Sequence, residues 1–189
     1  MSQYFERVTD SLFVLPLQAR LHASPDLWGQ RAYRRASAGS PHAGMVDIWA
    51  RYRDFAEMTG DWDEFRMTPH DSVWYPEAEK IPELKPIVFD LMRIVEGDRL
   101  GAVLITKLPP GGEIKPHIDG GWHAGFYSKF YVPITDVPGQ NFHWEDGFIA
   151  PKLGHAWRFD NSVPHWVTNE SEQDRISLIV CIKTDRFKP

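Results

Sequence analysis

From residue 100 onward the chain is a succession of short β-rich runs separated by turn-forming residues, and no other feature narrows its fold as much. The runs span residues 102–108, 129–134, 156–159, 165–168 and 176–183. Between them lie Pro109-Pro110-Gly111-Gly112, Val137-Pro138-Gly139-Gln140-Asn141 and the polar stretch 169–174. Strands this short at this spacing predict an antiparallel sandwich or jelly roll, mainly β with flanking helices. A helix over residues 82–96 belongs on the outside of that sheet. Leu84, Ile87, Val88, Leu91, Met92 and Val95 form one apolar stripe, Pro82 suits the first turn and Gly97 suits the stop. Residues 46–58 fit two patterns: alternation of Ile48, Ala50 and Tyr52 favours a strand, the preferred reading, while Ile48, Tyr52 and Phe55 would suit a helix. Residues 1–45 read as mixed and loop-rich, with 37–41 the most flexible stretch. The expected organisation is a single domain over 1–189, in which strands and a supporting helix in 1–99 accompany a jelly-roll core in 100–189.

Composition removes several classes. The chain's 189 residues are enough to bury a substantial core, and 42% hydrophobic with 25% charged residues is an ordinary globular balance. No apolar run approaches the roughly 20 residues that span a bilayer. Residues 1–17 carry acidic groups and no basic region leading to a cleavage site, so they do not read as a signal peptide. A net charge of −5 argues against a nucleic-acid partner. The one cysteine, Cys181, lies inside the apolar run 177–182 and reads as a buried small hydrophobe; it has no intrachain disulfide partner, and the cytoplasm is the expected compartment.

Most of the eight histidines are expected to be ordinary. His22, His42 and His70 fall in the N-terminal part and read as solvated, and His123, His143 and His155 sit among turns and aromatics without an assigned role. His117 differs because of its neighbours, Glu113-Ile114-Lys115-Pro116-His117-Ile118-Asp119-Gly120-Gly121. On a strand, residues two apart share a face, so His117 and Asp119 would converge while Ile118 packs the other way. Pro116 biases the entry towards extended backbone. His-x-Asp alone is a weak signal, but Trp157-Arg158-Phe159-Asp160-Asn161-Ser162-Val163-Pro164-His165-Trp166-Val167 and then Arg175-Ile176-Ser177 follow it. Two histidines and one carboxylate on one face of a metal leave positions open for a keto acid and O2, as in non-haem Fe(II) oxygenases. If 165–169 and 175–179 pair as a hairpin, His165 and Arg175 share a sheet face about four residues, roughly 13 Å, apart. A metal, a five-carbon diacid and a guanidinium would bridge that gap, and arginine suits a two-pronged grip on the distal carboxylate.

His117-Ile118-Asp119, the block Phe159-Asp160-Asn161-Ser162-x-Pro164-His165-x-Val167-x-Asn169, and Arg175-Ile176-Ser177 together resemble the aspartyl/asparaginyl β-hydroxylase family. The resemblance covers residues 100–183 and, more loosely, 47–53. It implies a double-stranded β-helix (jelly roll, cupin-like), Fe(II) held by His117, Asp119 and His165, and 2-oxoglutarate held by Arg175 with Ser177. It also implies oxidative decarboxylation of 2-oxoglutarate to succinate and CO2, coupled through O2 to hydroxylation of a nearby C–H, with ascorbate as a supporting reductant. Asp119 departs from the animal peptide hydroxylases, which lack the carboxylate, and matches members acting on free amino acids. The family's Arg-x-His pair aligns with Lys129-Phe130-Tyr131, so Lys129 and Tyr131 are further cosubstrate candidates. An amino-acid or peptidyl side chain is the implied substrate.

A cupin-type metal-binding or sugar-metabolising jelly roll and a structural Zn(II) site are the competing readings. The first has no need of a diacid anchor, and three ligands with open positions suit a closed zinc site poorly. Trp122, His123, Phe126, Tyr127 and Trp144 are either core or pocket wall. Arg51, Arg53 and Trp122 are the candidate substrate contacts, with surface placement the alternative for the two arginines.

Overall fold

Two antiparallel sheets face each other in the computed structural model, which describes residues 3–36 and 39–187. Ser37 and Ala38, part of the stretch expected to be flexible, lie outside the described residues. In chain order the elements are β1 (Phe5–Thr9), α1 (Leu15–His22), α2 (Tyr33–Ala36), β2 (Val46–Arg53), α3 (Trp62–Met67), β3 (Ser72–Trp74), α4 (Pro76–Glu79), α5 (Leu84–Ile94) and β4 (Gly97–Leu108). There follow β5 (Glu113–His117), α6 (Trp122–Phe126), β6 (Ser128–Pro133), β7 (Gln140–Trp144), β8 (Gly147–Ile149), β9 (Ala156–Phe159), β10 (His165–Asn169) and β11 (Arg175–Thr184). Among the described residues one sheet runs β1-β9-β6-β11-β4-β2-β3 and the other β5-β10-β7-β8. This is the jelly roll expected from the strand spacing.

Alternation along the large sheet sorts its residues onto two faces. Ile176, Leu178, Val180 and Ile182 of β11, Phe130 and Val132 of β6, Val103 and Ile105 of β4, and Ile48 and Ala50 of β2 pack in one cluster with Leu17 and Leu21 of α1 and Leu84, Ile87, Val88 and Leu91 of α5. The intervening residues, Arg175, Ser177, Lys129, Tyr131, Thr106 and Asp47, are therefore turned to the other side, towards the small sheet. A second cluster fills the space between the sheets, built on Phe5, Leu108, Ile114, Tyr131, Phe142, Phe159 and Val167. Both faces of β11 are thus covered, which is why the strand reads as an almost unbroken apolar run.

Several expectations are corrected here. Residues 165–169 and 175–179 do not form a hairpin. β10 pairs with β5 and β7, whereas β11 pairs with β4 and β6, so the two strands belong to opposite sheets. Asn169 fixes the crossing: its amide donates to Leu108 O, Pro109 O and Gln173 O, and its oxygen accepts from Ser171. The N-terminal stretch is mixed as expected, but it also supplies β1, which pairs with β9, and α1, which covers the large sheet through Leu17 and Leu21. Residues 140–144, read partly as a turn, form β7, which returns as β8 through Glu145-Asp146. Gly97 does not cap α5. The left-handed residue is Glu96 (φ 54°), and Gly97 opens β4, where an added Cβ would collide with Ile182 of the neighbouring strand. Among the described residues no helix is long and apolar enough to cross a membrane.

Candidate active site

His117 ends β5, His165 begins β10, and antiparallel pairing sets the two opposite each other. Their ring centroids lie 4.5 Å apart. His117 Nδ1 is 2.7 Å from Lys115 O and His165 Nδ1 is 2.9 Å from Val163 O. A carbonyl only accepts, so both Nδ1 atoms donate, and Nε2 is the ring nitrogen each histidine turns towards the cluster. Asp119 does not lie on the strand as expected. The strand stops at His117, and the Asp119 N–H donates to Asn161 O at 3.1 Å, which turns the side chain back to the histidines. Its oxygens lie 3.8 Å from His117 Nε2 and 3.6 Å from His165 Nε2. Ile118 points outward and is 55% exposed. One donor atom from each of the three residues lies within 4.8 Å of the others, a span that one metal ion can bridge.

Lys129, on β6, places its ammonium 2.6 Å from Asp119 Oδ2. Burial acts to raise the Asp119 carboxyl, but the Lys129 and His165 charges and the hydrogen bond from Lys129 outweigh it and hold the group well below the usual carboxylate range. Burial pushes the His117 imidazole down, reinforced by His165, against the opposing bond to Lys115. The site therefore presents an ionised carboxylate beside two imidazole rings, the donor set a divalent cation prefers.

Beyond this cluster the cavity narrows between the sheets towards Arg175, which is 2% exposed. Its Nη2 donates to the Tyr131 hydroxyl at 3.0 Å, while its Nε and the Ser177 Oγ are buried with no hydrogen-bond partner. Ile114, Phe142, Phe159, Val167 and Ile179 line the passage. A buried guanidinium edge and a hydroxyl without partners, at the end of an apolar passage that starts at a metal-type cluster, match the carboxylate of a keto diacid.

On the other side the cluster opens into a cavity of about 670 Å³, a size that admits a small molecule or a side chain. Its walls come from α2, the 39–42 loop, β2, α3 and α6. Of the candidate substrate contacts, none lines it. Arg51 donates to Leu100 O and lies over Trp74. Arg53 donates to Phe65 O and Thr68 Oγ1. Trp122 stacks on Phe126, 4.7 Å away, beside the Ala102, Tyr127 and Cys181 cluster. All three hold elements together. The cavity is lined instead by Tyr33 and Arg34 of α2, Trp49 and Tyr52 of β2 and Trp62 of α3, of which only the β2 residues fall in a stretch the sequence singles out.

Two histidines read as solvated are not. His42 contacts His117, with ring centroids 4.8 Å apart, and lines both parts of the cavity; His70 is buried against Tyr52 and Trp122. His123 is buried and accepts a hydrogen bond from the Ala102 N–H. Burial pushes the Cys181 thiol up to about 11, as expected of an inert thiol.

A family model described as aspartyl/asparaginyl β-hydroxylase matches residues 35–184. No curated protein matches in sequence. Among solved structures, a Trichoplax adhaerens prolyl hydroxylase in complex with a hypoxia-inducible factor peptide fragment superposes with TM-score 0.55 at 15% identity, covering 98% of this chain and 86% of that one. The viral collagen prolyl hydroxylase of Paramecium bursaria Chlorella virus-1, a 2-oxoglutarate complex, gives 0.52 at 12% identity, with 97% of each chain covered. A Pseudomonas putida prolyl-4-hydroxylase gives 0.51 at 14%, covering 96% and 92%. At such identities the likeness is one of fold.

Proposed function

The chain belongs to the aspartyl/asparaginyl β-hydroxylase family of Fe(II)- and 2-oxoglutarate-dependent dioxygenases, and we propose that it hydroxylates an unactivated C–H bond of an amino-acid or peptidyl side chain, releasing succinate and CO2. The observation that carries this reading is the pair of unpartnered buried atoms, Arg175 Nε and Ser177 Oγ, at the end of the passage from the His117, Asp119 and His165 cluster. A cupin-type binding protein leaves that pair without a purpose.

In this reading His117, Asp119 and His165 hold Fe(II), each imidazole presenting Nε2 because its Nδ1 is committed to a backbone carbonyl. Arg175 and Ser177 take the distal carboxylate of 2-oxoglutarate, and Tyr131 orients the guanidinium through its hydroxyl. Lys129 lies beside Asp119 and supplies positive charge where the keto-acid end would sit. Fe(II) with 2-oxoglutarate supplies the reductive activation of O2 that places one oxygen atom on the substrate carbon. Phe142, Phe159, Val167 and Ile179 keep the passage apolar, which strengthens the charge-assisted contacts inside it. The substrate enters through the larger cavity, and the chemistry requires neither nucleic acid nor membrane.

The test is incubation with Fe(II), 2-oxoglutarate and ascorbate against panels of free amino acids and short peptides, reading succinate and products heavier by one oxygen atom. Oxidation of nucleotides or lipids alone would refute the substrate class and leave the oxygenase assignment standing. No succinate with any panel and no 2-oxoglutarate binding would refute both.

A further inference from the structure

Charges on the wall of the larger cavity are almost all spoken for. Lys129 pairs with Asp119 at 2.6 Å, and Arg66 pairs with Asp63 at 2.8 Å. Asp61 accepts the first N–H groups of α3. Arg34 is the exception. It sits on α2, its side chain is 22% exposed, and it lines both the larger cavity and the passage to Arg175.

What surrounds Arg34 fixes its position without cancelling its charge. Its Nη1 lies 3.7 Å from Asp47 Oδ2, beyond hydrogen-bond distance, and neither Nη1 nor either Asp47 oxygen has a hydrogen-bond partner. Asp47 is 2% exposed on the inward face of β2, and Arg35 also bears on it. One carboxylate thus faces two guanidiniums, leaving one positive charge in excess. The other edge of Arg34, Nη2, lies 3.1 Å from His42. An imidazole brings no negative charge to balance the guanidinium. The excess charge is held beside the aromatic rings of Tyr33, Trp49, Tyr52 and Trp62, where water competes less and a charge-assisted bond gains strength.

We propose that Arg34 is the substrate anchor of this cavity: the molecule hydroxylated here carries a free carboxylate that pairs with the Arg34 guanidinium. Asp47 acts as the positioning residue behind it. The proposal rests on the oxygenase reading for what happens to the bound molecule, but not for the binding itself. Arg34 lies just outside residues 35–184, so the family match says nothing about it.

The test is calorimetric titration of protein loaded with redox-inert Mn(II) and an unreactive 2-oxoglutarate analogue. The probes are free amino acids, the primary amides of their α-carboxyls, their N-acetyl derivatives, and aspartate and glutamate beside asparagine and glutamine. At least one acid is expected to bind saturably, with its amide at least about tenfold weaker, the loss of a charge-assisted pair. Retention by the N-acetyl acid would assign the carboxylate to a peptide C-terminus. Sensitivity to the side-chain amide would assign it to a side chain. Arg34→Gln should bring the acid-to-amide ratio close to one, and Arg34→Lys should restore part of it, while Mn(II) and 2-oxoglutarate affinities stay as in the parent. Equal binding of acid and amide by the parent, no saturable binding of any acid, or an unchanged ratio in a folded Arg34→Gln protein would overturn the proposal. So would loss of 2-oxoglutarate affinity in that variant, which would place Arg34 in the cosubstrate passage. If Arg34→Gln does not fold, the parent's acid-to-amide ratio and the Arg34→Lys protein decide it. Failure of the oxygenase reading looks different, since the parent itself would then not bind 2-oxoglutarate.

Discussion

At Asp119 two effects of opposite sign meet, and the neighbouring charges win over burial. Lys129 is the nearest of those charges, so in metal-free protein it does part of the work that a cation would do. Lys129→Met should therefore destabilise the metal-free protein by less than the roughly 3–5 kcal/mol of a fully buried broken pair, since Asp119 keeps 15% exposure. Added Mn(II) should restore most of that loss and bind more tightly than to the parent; chemical unfolding with and without Mn(II) reads both, and weaker Mn(II) binding would mean that Lys129 holds Asp119 in place for the metal. Arg175→Leu tests the other end of the passage. An unpaired carboxylate there costs about 2–5 kcal/mol, so 2-oxoglutarate should bind roughly 30- to 4,000-fold more weakly while the metal stays. Anaerobic titration of Fe(II)-loaded protein, followed by its visible charge-transfer band, measures this, and unchanged affinity would remove Arg175 from the cosubstrate site. At this scale the metal cluster and Arg175 are legible in the sequence because each motif is local. Arg34 and His42 are not, since nothing near them in the chain marks the cavity wall they share.

Between elements, the crossing from β10 to β11 decides what the site can hold. A hairpin would have put His165 and Arg175 on one face of one sheet; the crossing puts them on opposite sheets, with the cavity between. Asn169, 1% exposed, makes that crossing through both ends of its amide. Asn169→Ala would leave several buried carbonyls short of a donor, and about 2–4 kcal/mol of stability should be lost in urea unfolding. A loss under about 0.5 kcal/mol, the size of an ordinary surface change, would show that the crossing is held by backbone alone. On α5, Leu91→Ala should cost about 2–5 kcal/mol through the cavity it opens against the sheet, without changing Mn(II) affinity. The helix and β4, β6, β9, β10 and β11 are readable because their periodicity is sustained or bounded by turns. β1, β3 and β7 escape, being short strands that pair with partners well away along the chain, and β8 escapes as a three-residue edge strand.

For the molecule as a whole, acid stability follows from its buried histidines. Burial lowers His70, His123, His143 and His155 below the ordinary imidazole value. The unfolded chain then binds more protons than the folded one once the pH drops below about 6.5, so their stabilisation is complete above that value and is lost as the pH falls through it. Asp119 is depressed instead, so its contribution persists until the pH falls below the ordinary carboxylate range. Thermal unfolding of metal-free protein should show a midpoint that declines between about pH 6.5 and 4.5, and less steeply in His70→Phe; a flat profile over that window would refute the assignment. The sequence by itself determined the jelly-roll class, the outer helix and the residue types of a 2-His-1-carboxylate cluster, because hydrophobic period, turn chemistry and short motifs are all local properties. Only the tertiary structure decided that β10 and β11 face each other across a cavity, that Arg51 and Arg53 serve the scaffold, and that Arg34 stands at the site. Those outcomes depend on which strands pair, and pairing is set by packing between segments far apart in the chain.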